Sequence, residues 1–330
     1  MKKSNWLFSL MLIISVMITL SANNWISMWM GLELNMMAFI PLILNNSSKS
    51  SSEAAMMYFL IQSISSIMLI MMVTMNMIKY LMPKEMINLI MTIAILIKLG
   101  AAPFHMWLPE IMCKMEWMKC SILMTWQKIA PLMMLSNINN NTIMINITII
   151  WSIGIGSIGG MNQSSLRKMM GFSSINHLGW LIAINKSMNL WMMYIMIYSF
   201  MIISICYIFM NYKMYFMNQI NSLSLNNTEK ITLFISMLSM GGLPPFIGFM
   251  PKWITIQSMI DSKEIILLFI MVMFSIINLM YYMRVMNSMS LSYNSTIKWN
   301  MINNNNKITL IMLTINLGLP LIMMIDMFNK

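Results

Sequence analysis

Runs of apolar residues, separated by short polar segments, follow one another along the whole chain. They predict eleven membrane-spanning helices, at about 4–21, 25–44, 54–78, 86–108, 118–136, 142–161, 172–185, 188–211, 230–250, 264–286 and 307–328. Most runs are close to the roughly 20 residues that a helix needs to cross the hydrocarbon core of a bilayer, although the seventh is shorter. The segments between them are rich in Asn and Ser and too short to form a domain. The pattern predicts an all-α polytopic membrane protein whose residues 1–330 form a single transmembrane domain.

One short motif occurs twice. Segments 100–104 and 242–246 both read G-x-x-P-F, and a second proline follows at 109 and at 251, so the copies are 142 residues apart. They fall in the fourth and ninth predicted spans, and an offset of five spans gives the two units opposite orientations. This predicts two inverted five-helix repeats, about 4–136 and 142–286, with an extra C-terminal helix at about 307–328.

The prolines of this motif also predict discontinuous helices. Proline lacks the backbone donor that a helix needs, so each copy should break its span and turn the freed polar groups toward protein or water. Breaks at matching places in two halves of a membrane protein indicate a transport site. The alternative is that these Gly and Pro residues only kink helices that pack closely.

Composition narrows the class of protein. With 59% hydrophobic and 9% charged residues the chain is not an ordinary soluble domain. A net charge of +11 could suggest nucleic acid binding, but the basic residues stand singly or in pairs between apolar runs, as in loops that flank membrane spans. Lys and Arg number twelve on the N-terminal side of the membrane and five on the other. The count predicts an inside N-terminus and an outside C-terminus, with membrane lipids and no nucleic acid as partners.

The choice of residues points to a mitochondrial genome. Met occurs 51 times and Arg only as Arg167 and Arg284, while Ile and Asn are abundant. An AT-rich genome that reads AUA as Met, as in animal mitochondria, would produce this bias. The inside of the membrane would then be the mitochondrial matrix, and the outside the intermembrane space.

No motif for a cofactor stands out. Cys113, Cys120 and Cys206 form no C-x-x-C and have no His at metal-ligand spacing, so we expect no zinc site, iron–sulfur cluster or disulfide framework. Segment 154–159 matches G-x-G-x-x-G, but no strand precedes it and no acidic residue lies about 20 positions on. Its glycines, together with Gly160, are typical of close packing between helices.

Four ionisable residues fall within or at the edge of predicted spans. They are Glu33 in span 2, Lys98 in span 4, Lys128 in span 5, and Lys252 beside span 9. A charged side chain at the centre of a membrane helix costs at least about 2.5–3.5 kcal/mol, so a functional reason is expected. A Glu–Lys pair would lower that cost, and a buried lysine that loses its proton readily is a reversible proton carrier. The alternative for each lysine is that its side chain extends to the membrane surface.

Two histidines could also carry protons. His177 lies in the seventh span, the repeat counterpart of the span that holds Glu33, and imidazole suits a proton relay because it titrates near neutral pH. A hydrogen-bonded structural role for His177 is an equal alternative. His105 follows the first predicted break, and we favour a structural role for it unless it faces water.

Five segments of the chain carry distinctive motifs. The segments are W-M-G-L-E at 29–33, K-L-G-A-A-P-F-H at 98–105, T-W-Q-K-I-A-P at 125–131, N-Q-S-S-L-R-K at 162–168, and G-G-L-P-P-F with P-K-W between 241 and 253. Together they resemble a known family, the antiporter-like membrane subunits of respiratory complex I, in the shortened animal form with eleven helices. The resemblance runs through nearly the whole chain and weakens only in the Asn-rich loops and the last span.

This resemblance implies a role in energy coupling. Electron transfer elsewhere in the complex would drive charge rearrangements along a hydrated line of Lys, Glu and His at mid-membrane, and protons would cross. Glu33 and Lys98 would form the family's Glu–Lys pair, Lys128 would be the central lysine, and Lys252 the lysine of the second broken helix. His177 and His105 would complete the candidate residues.

The resemblance also implies where the redox chemistry lies. This chain would hold no cofactor, while NADH, FMN, iron–sulfur clusters and ubiquinone would bind other subunits of the complex. Other membrane-arm and accessory subunits would be its partners in the mitochondrial inner membrane. A stand-alone cation/proton secondary transporter would share the repeat and the buried lysines but work without an electron donor. A purely structural membrane subunit would tolerate neutralisation of the lysines.

Overall fold

A computed structural model of the chain describes residues 3–44, 48–78, 83–138, 142–222, 227–290 and 306–318. These residues form fifteen helices and one isolated β-bridge, between Ser165 and Phe216. The helices are α1 (Lys3–Ser21), α2 (Trp25–Leu44), α3 (Lys49–Met77), α4 (Lys84–Leu99), α5 (Trp107–Lys114), α6 (Trp117–Met124), α7 (Trp126–Asn137), α8 (Thr142–Met161), α9 (Leu166–Ala183), α10 (Met188–Asn211), α11 (Met217–Ser222), α12 (Asn227–Gly241), α13 (Phe249–Asp261), α14 (Ile265–Ser290) and α15 (Asn306–Asn316).

The helices form a membrane protein. In the part of the chain that the structure describes, five segments are long and apolar enough to cross a bilayer as single helices: Trp25–Leu44, Lys49–Met77, Ile143–Met161, Met188–Asn211 and Ile265–Ser288. The outer faces of α3, α10 and α14 expose large apolar side chains such as Ile64, Met196 and Phe269, which suits contact with lipid. The fold class predicted from the apolar runs is therefore confirmed at the level of an all-helical membrane protein.

Most predicted spans lie within a few residues of a helix, but the fourth and ninth end at 108 and 250, whereas α5 continues to Lys114 and α13 to Asp261. The start of the seventh span differs as well. It was placed at 172–185, but α9 already begins at Leu166. Two polar groups at the start of α9 have partners in distant parts of the chain: Leu166 N–H donates to Tyr215 O at 2.9 Å, and Arg167 Nη1 donates to Met115 O at 2.7 Å. The end of the last predicted span, residues 319–328, and the Asn-rich linker at 303–305 lie outside the described residues.

Both copies of the repeated motif interrupt a helix, as predicted. The first break separates α4 from α5 over residues 100–106, and the second separates α12 from α13 over residues 242–248. Gly100 and Gly242 begin the breaks with φ angles of 70° and 73°, in the left-handed region where a glycine is least strained. The second break is covered by α15, since Ile247 N–H donates to Asn316 O at 3.1 Å.

A third interruption was not predicted. The span placed at 118–136 is divided by Thr125, whose φ and ψ are −114° and −74°, into α6 and α7. The Thr125 hydroxyl donates to Ser121 O at 2.7 Å, a bond that bends helices. Pro131 lies six residues further on and offers no N–H to Gln127 O. The prediction of one continuous helix here was wrong because these two local effects act together.

Helix α9 is the centre of the bundle. Fourteen of its eighteen residues are buried, which means that no broad face of it reaches lipid. It contacts α5, α6, α8, α10 and α13. Its closest neighbour is α8, which carries the glycine-rich segment 154–159 in helical form. The prediction that these glycines serve helix packing is confirmed, because a Cβ at Gly156 would lie only 2.6 Å from the backbone nitrogen of Asn176.

We expect Gly156→Ala to loosen the contact between α8 and α9. Its methyl group would meet the backbone of α9, which cannot move aside as a side chain can, at a cost of about 1–3 kcal/mol. The measurement is the thermal stability of the chain in its native membrane assembly. Gly154→Ala is the matched control, since its nearest neighbour is a Phe274 ring atom at an ordinary 3.6 Å. Equal stability of the two variants would contradict this account of the packing.

Candidate functional site

Three lysine side chains end inside the bundle, each beside a helix interruption. Lys98 is the penultimate residue of α4, Lys128 lies in the first turn of α7, and Lys252 lies in the first turn of α13. Their relative exposures are 7%, 3% and 5%. The alternative in which these lysines extend to the membrane surface is therefore excluded. Helix interruptions leave backbone carbonyls unpaired, and these can accept hydrogen bonds from an ammonium group.

Lys98 and Lys128 line the same small cavity. It offers about 20 Å³ to the centres of water molecules, where one water needs at least about 10–15 Å³. The break after α4 and the interruption at Thr125 meet at this cavity, because Lys98 precedes the first and Lys128 follows the second. The other lining residues are Leu32, Asn35, Tyr58, Gln62, Leu99, Trp107, Leu108, Leu123, Gln127 and Pro131.

Polar atoms around the cavity are only partly paired within the protein. Gln62 Nε2 donates to Lys98 O at 3.3 Å, and Tyr58 OH donates to Gln127 Oε1 at 3.2 Å. Three other buried atoms have no protein partner: Asn35 Oδ1, Gln127 Nε2 and Trp107 Nε1. A buried polar group without a partner costs about 1–3 kcal/mol, so this cavity has both the room and the polar atoms to bind water.

Glu33 acts on Lys98 without touching it. Its half-buried side chain lies on α2 and is the carboxylate that attracts the Lys98 ammonium. No ion pair within 4.0 Å joins them, since the ion pairs among the described residues are Lys114–Glu53 at 2.8 Å and Lys119–Glu116 at 3.3 Å. The predicted pair is therefore a longer-range electrostatic relation in this structure.

Lys128 also contacts the second half of the chain. Its Nζ donates to Ser174 O of α9 at 3.0 Å and lies 5.3 Å from the centroid of the Tyr198 ring of α10. A desolvated ammonium gains about 2 kcal/mol from the face of an aromatic ring. The backbone carbonyl and the ring thus take the place of a carboxylate.

His177 is the next residue in a row of buried protonatable side chains that starts with Lys98 and Lys128, referred to below as the line. Its Nδ1 is 2.8 Å from the hydroxyl of Tyr194, and its ring centroid is 4.7 Å from that of Tyr198. The other ring nitrogen, Nε2, is buried without a partner. Both Lys128 and Lys252 are close enough to His177 to act on it electrostatically. A hydrogen-bonded structural role and a relay role are therefore compatible for His177, because Nδ1 contacts the Tyr194 hydroxyl while Nε2 has no partner.

Lys252 ends the line. Its Nζ donates to Gly241 O, the last carbonyl of α12, at 2.7 Å, and lies 5.8 Å from the centroid of the Trp180 ring. Like Lys128, it has a carbonyl and an aromatic ring as partners. The carbonyl is available because α12 ends there and has no next turn to pair with it.

Helix α9 joins the two lysines. Ser174, His177 and Trp180 are three residues apart and so lie on one face, over about 9 Å of helix. Ser174 meets Lys128, Trp180 meets Lys252, and His177 lies between them. Tyr194, Tyr198 and Trp180 were not predicted as site residues, since their types are common in apolar helices and only their position around the lysines distinguishes them.

His105 lies inside the first break. It is 7% exposed, and its Nδ1 is 3.2 Å from Pro103 O. It is absent from the lining of the cavity shared by Lys98 and Lys128. Its contact stabilises the irregular backbone, in line with the structural role that we favoured.

A larger cavity lies at the end of the bundle, away from this line. Its volume is about 800 Å³, and Lys186, Asp261 and Glu264 are the charged residues among those that line it. It shares no lining residue with the lysine line. As for metals, the described residues contain no group of three or more His, Cys, Asp or Glu side chains that could hold an ion, and all three cysteines are free.

Comparison with known proteins identifies the family. Residues 22–278 match the family model described as NADH:quinone oxidoreductase/Mrp antiporter, transmembrane. NADH-ubiquinone oxidoreductase chain 2 of Anopheles gambiae is 43% identical to this chain, over 98% of this chain and 99% of its own length. The chain belongs to the NADH-ubiquinone oxidoreductase chain 2 family. The corresponding chain of Aedes aegypti is 45% identical over 96% of this chain and 95% of its own.

Solved structures show the same fold. A chain of respiratory complex I from Thermus thermophilus superposes with a TM-score of 0.83 at 16% identity, covering 96% of this chain and 77% of that one. A chain of an archaeal membrane-bound sulfane sulfur reductase gives a TM-score of 0.77 at 13% identity, covering 94% of this chain and 71% of that one. The family of chain 2 therefore shares the antiporter-like fold of respiratory membrane complexes.

The Lys252 contact can be tested through the glycine beneath it. A Cβ at Gly242 would lie 2.7 Å from Lys252 Nζ, and its φ of +73° adds strain of about 1–2 kcal/mol for any other residue. We expect Gly242→Ala to displace the ammonium from Gly241 O and to lower NADH:ubiquinone oxidoreductase turnover as far as Lys252→Met does. Gly241→Ala is the control, because its Cβ would meet Leu279 at 3.4 Å and Tyr282 at 3.8 Å, both ordinary van der Waals distances. If Gly242→Ala kept normal turnover while Lys252→Met was inactive, the functional role of the contact between Lys252 and Gly241 O would be contradicted.

Proposed function

We propose that the chain is a core membrane-arm subunit of the proton-pumping NADH:ubiquinone oxidoreductase, and that its buried lysines and His177 couple electron transfer to proton translocation. The observation that carries the proposal is the line of protonatable side chains from Lys98 through Lys128 and His177 to Lys252. Each member is buried, and each lysine beyond Lys98 has a carbonyl and a ring as partners. Membership of the chain 2 family supports a role for this line in complex I.

The protonation state of each group in the line affects its neighbours by electrostatic coupling. Two unit charges about 8 Å apart interact by about 2 kcal/mol at an effective dielectric of about 20. A proton on Lys128 therefore disfavours protonation of His177 and of Lys98, and its departure favours both. At the Lys98 end, this tightens or loosens the attraction to Glu33, so that a change at either end biases the other.

A bound water would connect Lys98 to Lys128. The cavity between Lys98 and Lys128 has room for about one molecule and offers the unpaired atoms of Asn35, Gln127 and Trp107. A water held there would connect the two ammonium groups through hydrogen bonds, and the Tyr58–Gln127 bond would fix its position. His105 is left out of the line, because its Nδ1 contacts Pro103 O inside the first break and its side chain does not line this cavity.

The architecture that we propose is eleven spans in two inverted five-helix repeats, about 4–136 and 142–286, with the extra helix at about 307–328. The matched features of the two breaks support it: each begins with a left-handed glycine, and each is flanked by a buried lysine. The excess of Lys and Arg on the N-terminal side supports an N-terminus in the matrix and a C-terminus in the intermembrane space, across the mitochondrial inner membrane.

Redox chemistry belongs to the partners. NADH, FMN, the iron–sulfur clusters and ubiquinone would bind other subunits, and this chain would contact neighbouring membrane-arm and accessory subunits and lipids. A stand-alone cation/proton transporter is the second candidate function. It is favoured by the fold alone, since a chain of the Mrp complex from Dietzia sp. superposes with a TM-score of 0.75 at 16% identity, covering 85% of this chain and 59% of that one.

The central lysine provides the direct test of coupling. We expect Lys128→Met to slow or uncouple proton pumping, because the line loses its middle charge. Lys186→Met is the control, since Lys186 is exposed at the bundle end and lies outside the line. The measurement is the number of protons pumped per NADH oxidised in proteoliposomes containing the assembled complex. If the two variants pumped equal numbers of protons per NADH oxidised, the coupling mechanism would be contradicted.

Membership of the complex is tested separately. Native membranes are solubilised gently, resolved on a native gel with an in-gel NADH dehydrogenase stain, and searched for this chain by mass spectrometry. We expect it in the large NADH-oxidising band. If the chain instead ran alone or as a small oligomer without NADH-linked activity, the independent transporter would take the place of the proposed function.

A further inference from the structure

We infer that the ring of Tyr198 is a shared binding surface for the protonated forms of Lys128 and His177, which makes Tyr198 a positioning residue for proton transfer between them. The inference rests on the proposed function and adds a residue that neither the motifs nor the family resemblance indicated. Tyr198 lies on α10 and is 1% exposed.

Two proton carriers meet this one ring. The Lys128 ammonium is 5.3 Å from its centroid, and the His177 ring centroid is 4.7 Å away with an angle of 42° between the planes. A cation within about 6 Å of an aromatic centroid is attracted by the ring quadrupole. The lysine satisfies this condition as it stands, and the histidine satisfies it whenever it carries the proton.

The ring therefore favours the positive charge at either end of the transfer. A proton leaves the Lys128 ammonium, which becomes a neutral amine, and arrives at Nε2 of His177, which becomes an imidazolium. The net charge of the pair stays at one throughout. Nε2 is the acceptor because Nδ1 is already engaged by Tyr194 OH, whereas Nε2 has no partner.

The aromatic face carries this role, and the hydroxyl does not. Tyr198 OH is buried without a hydrogen-bond partner, so it fixes neither Lys128 nor His177. A phenylalanine at 198 would keep the ring, whereas an aliphatic residue would remove the only aromatic surface that the two groups share among the described contacts. The two kinds of substitution separate the ring from the hydroxyl.

Other ionisable groups surround this point and stay in place in every variant. They are Lys252 of α13, Tyr194 and Cys206 of α10, and Tyr282 of α14. None of them is changed by a substitution at 198, so a shift in pH dependence reports on the ring itself.

The test compares Tyr198→Phe with Tyr198→Leu in the assembled complex. We expect Tyr198→Phe to keep normal turnover and Tyr198→Leu to lose about tenfold, equivalent to about 1.4 kcal/mol. The ring favours the protonated carriers, so its loss should also move the alkaline limb of the turnover profile by about one unit to lower pH. A purely structural effect would lower turnover at every pH without moving the limb.

Controls keep the outcomes distinct. Tyr207→Leu removes a tyrosine from the same helix, three turns away from these contacts, and should leave the pH profile unchanged. If Tyr198→Leu fails to assemble, Tyr198→Met is scored by the same criteria. The inference is overturned if Phe and aliphatic variants behave alike. An inactive Lys128→Met beside a normal Tyr198→Leu would overturn it while leaving the proposed function intact, whereas a normal Lys128→Met would overturn the proposed function itself.

Discussion

An ammonium group inside a membrane protein must find partners that replace water, and the rest of this bundle follows from that requirement. In the described part of the chain no carboxylate lies within 4.0 Å of Lys98, Lys128 or Lys252. Lys128 and Lys252 each donate to a backbone carbonyl and face an aromatic ring, while Lys98 faces a cavity with room for water. These neutral partners stabilise the ammonium group but also allow it to lose its proton. When the proton leaves, no buried carboxylate is left without a partner.

The helix breaks explain how such partners arise in an apolar bundle. A continuous helix uses nearly all of its carbonyls internally, whereas an interruption leaves several free. Here Gly241 O, at the end of α12, accepts from Lys252 in this way. The breaks are costly at membrane depth, so they persist only where protein covers them, as α15 covers the second one through Asn316.

Helix α9 joins the sites of Lys128 and Lys252. It is buried on nearly all sides, which lets residues on one face meet Lys128 and Lys252 while His177 stands between them. Its position depends on Gly156 of α8, where no side chain could fit against the Asn176 backbone. Packing that looks purely structural thereby sets the distances over which the charges interact, and Coulomb energies between these groups vary inversely with that distance.

The sequence by itself determined the class of the protein, the approximate spans, the two proline-dependent breaks and the identity of the ionisable residues. These follow from local rules: apolar length, the missing proline donor and the cost of charge in a bilayer. It did not determine the Thr125 interruption, where two weak local effects combine, or the early start of α9, where Arg167 Nη1 donates to Met115 O in a distant part of the chain. Only the tertiary structure decided which groups meet. Tyr198, Trp180 and the Ser174 carbonyl look ordinary in an apolar helix, and they become partners of the lysines because helices distant in sequence pack around α9.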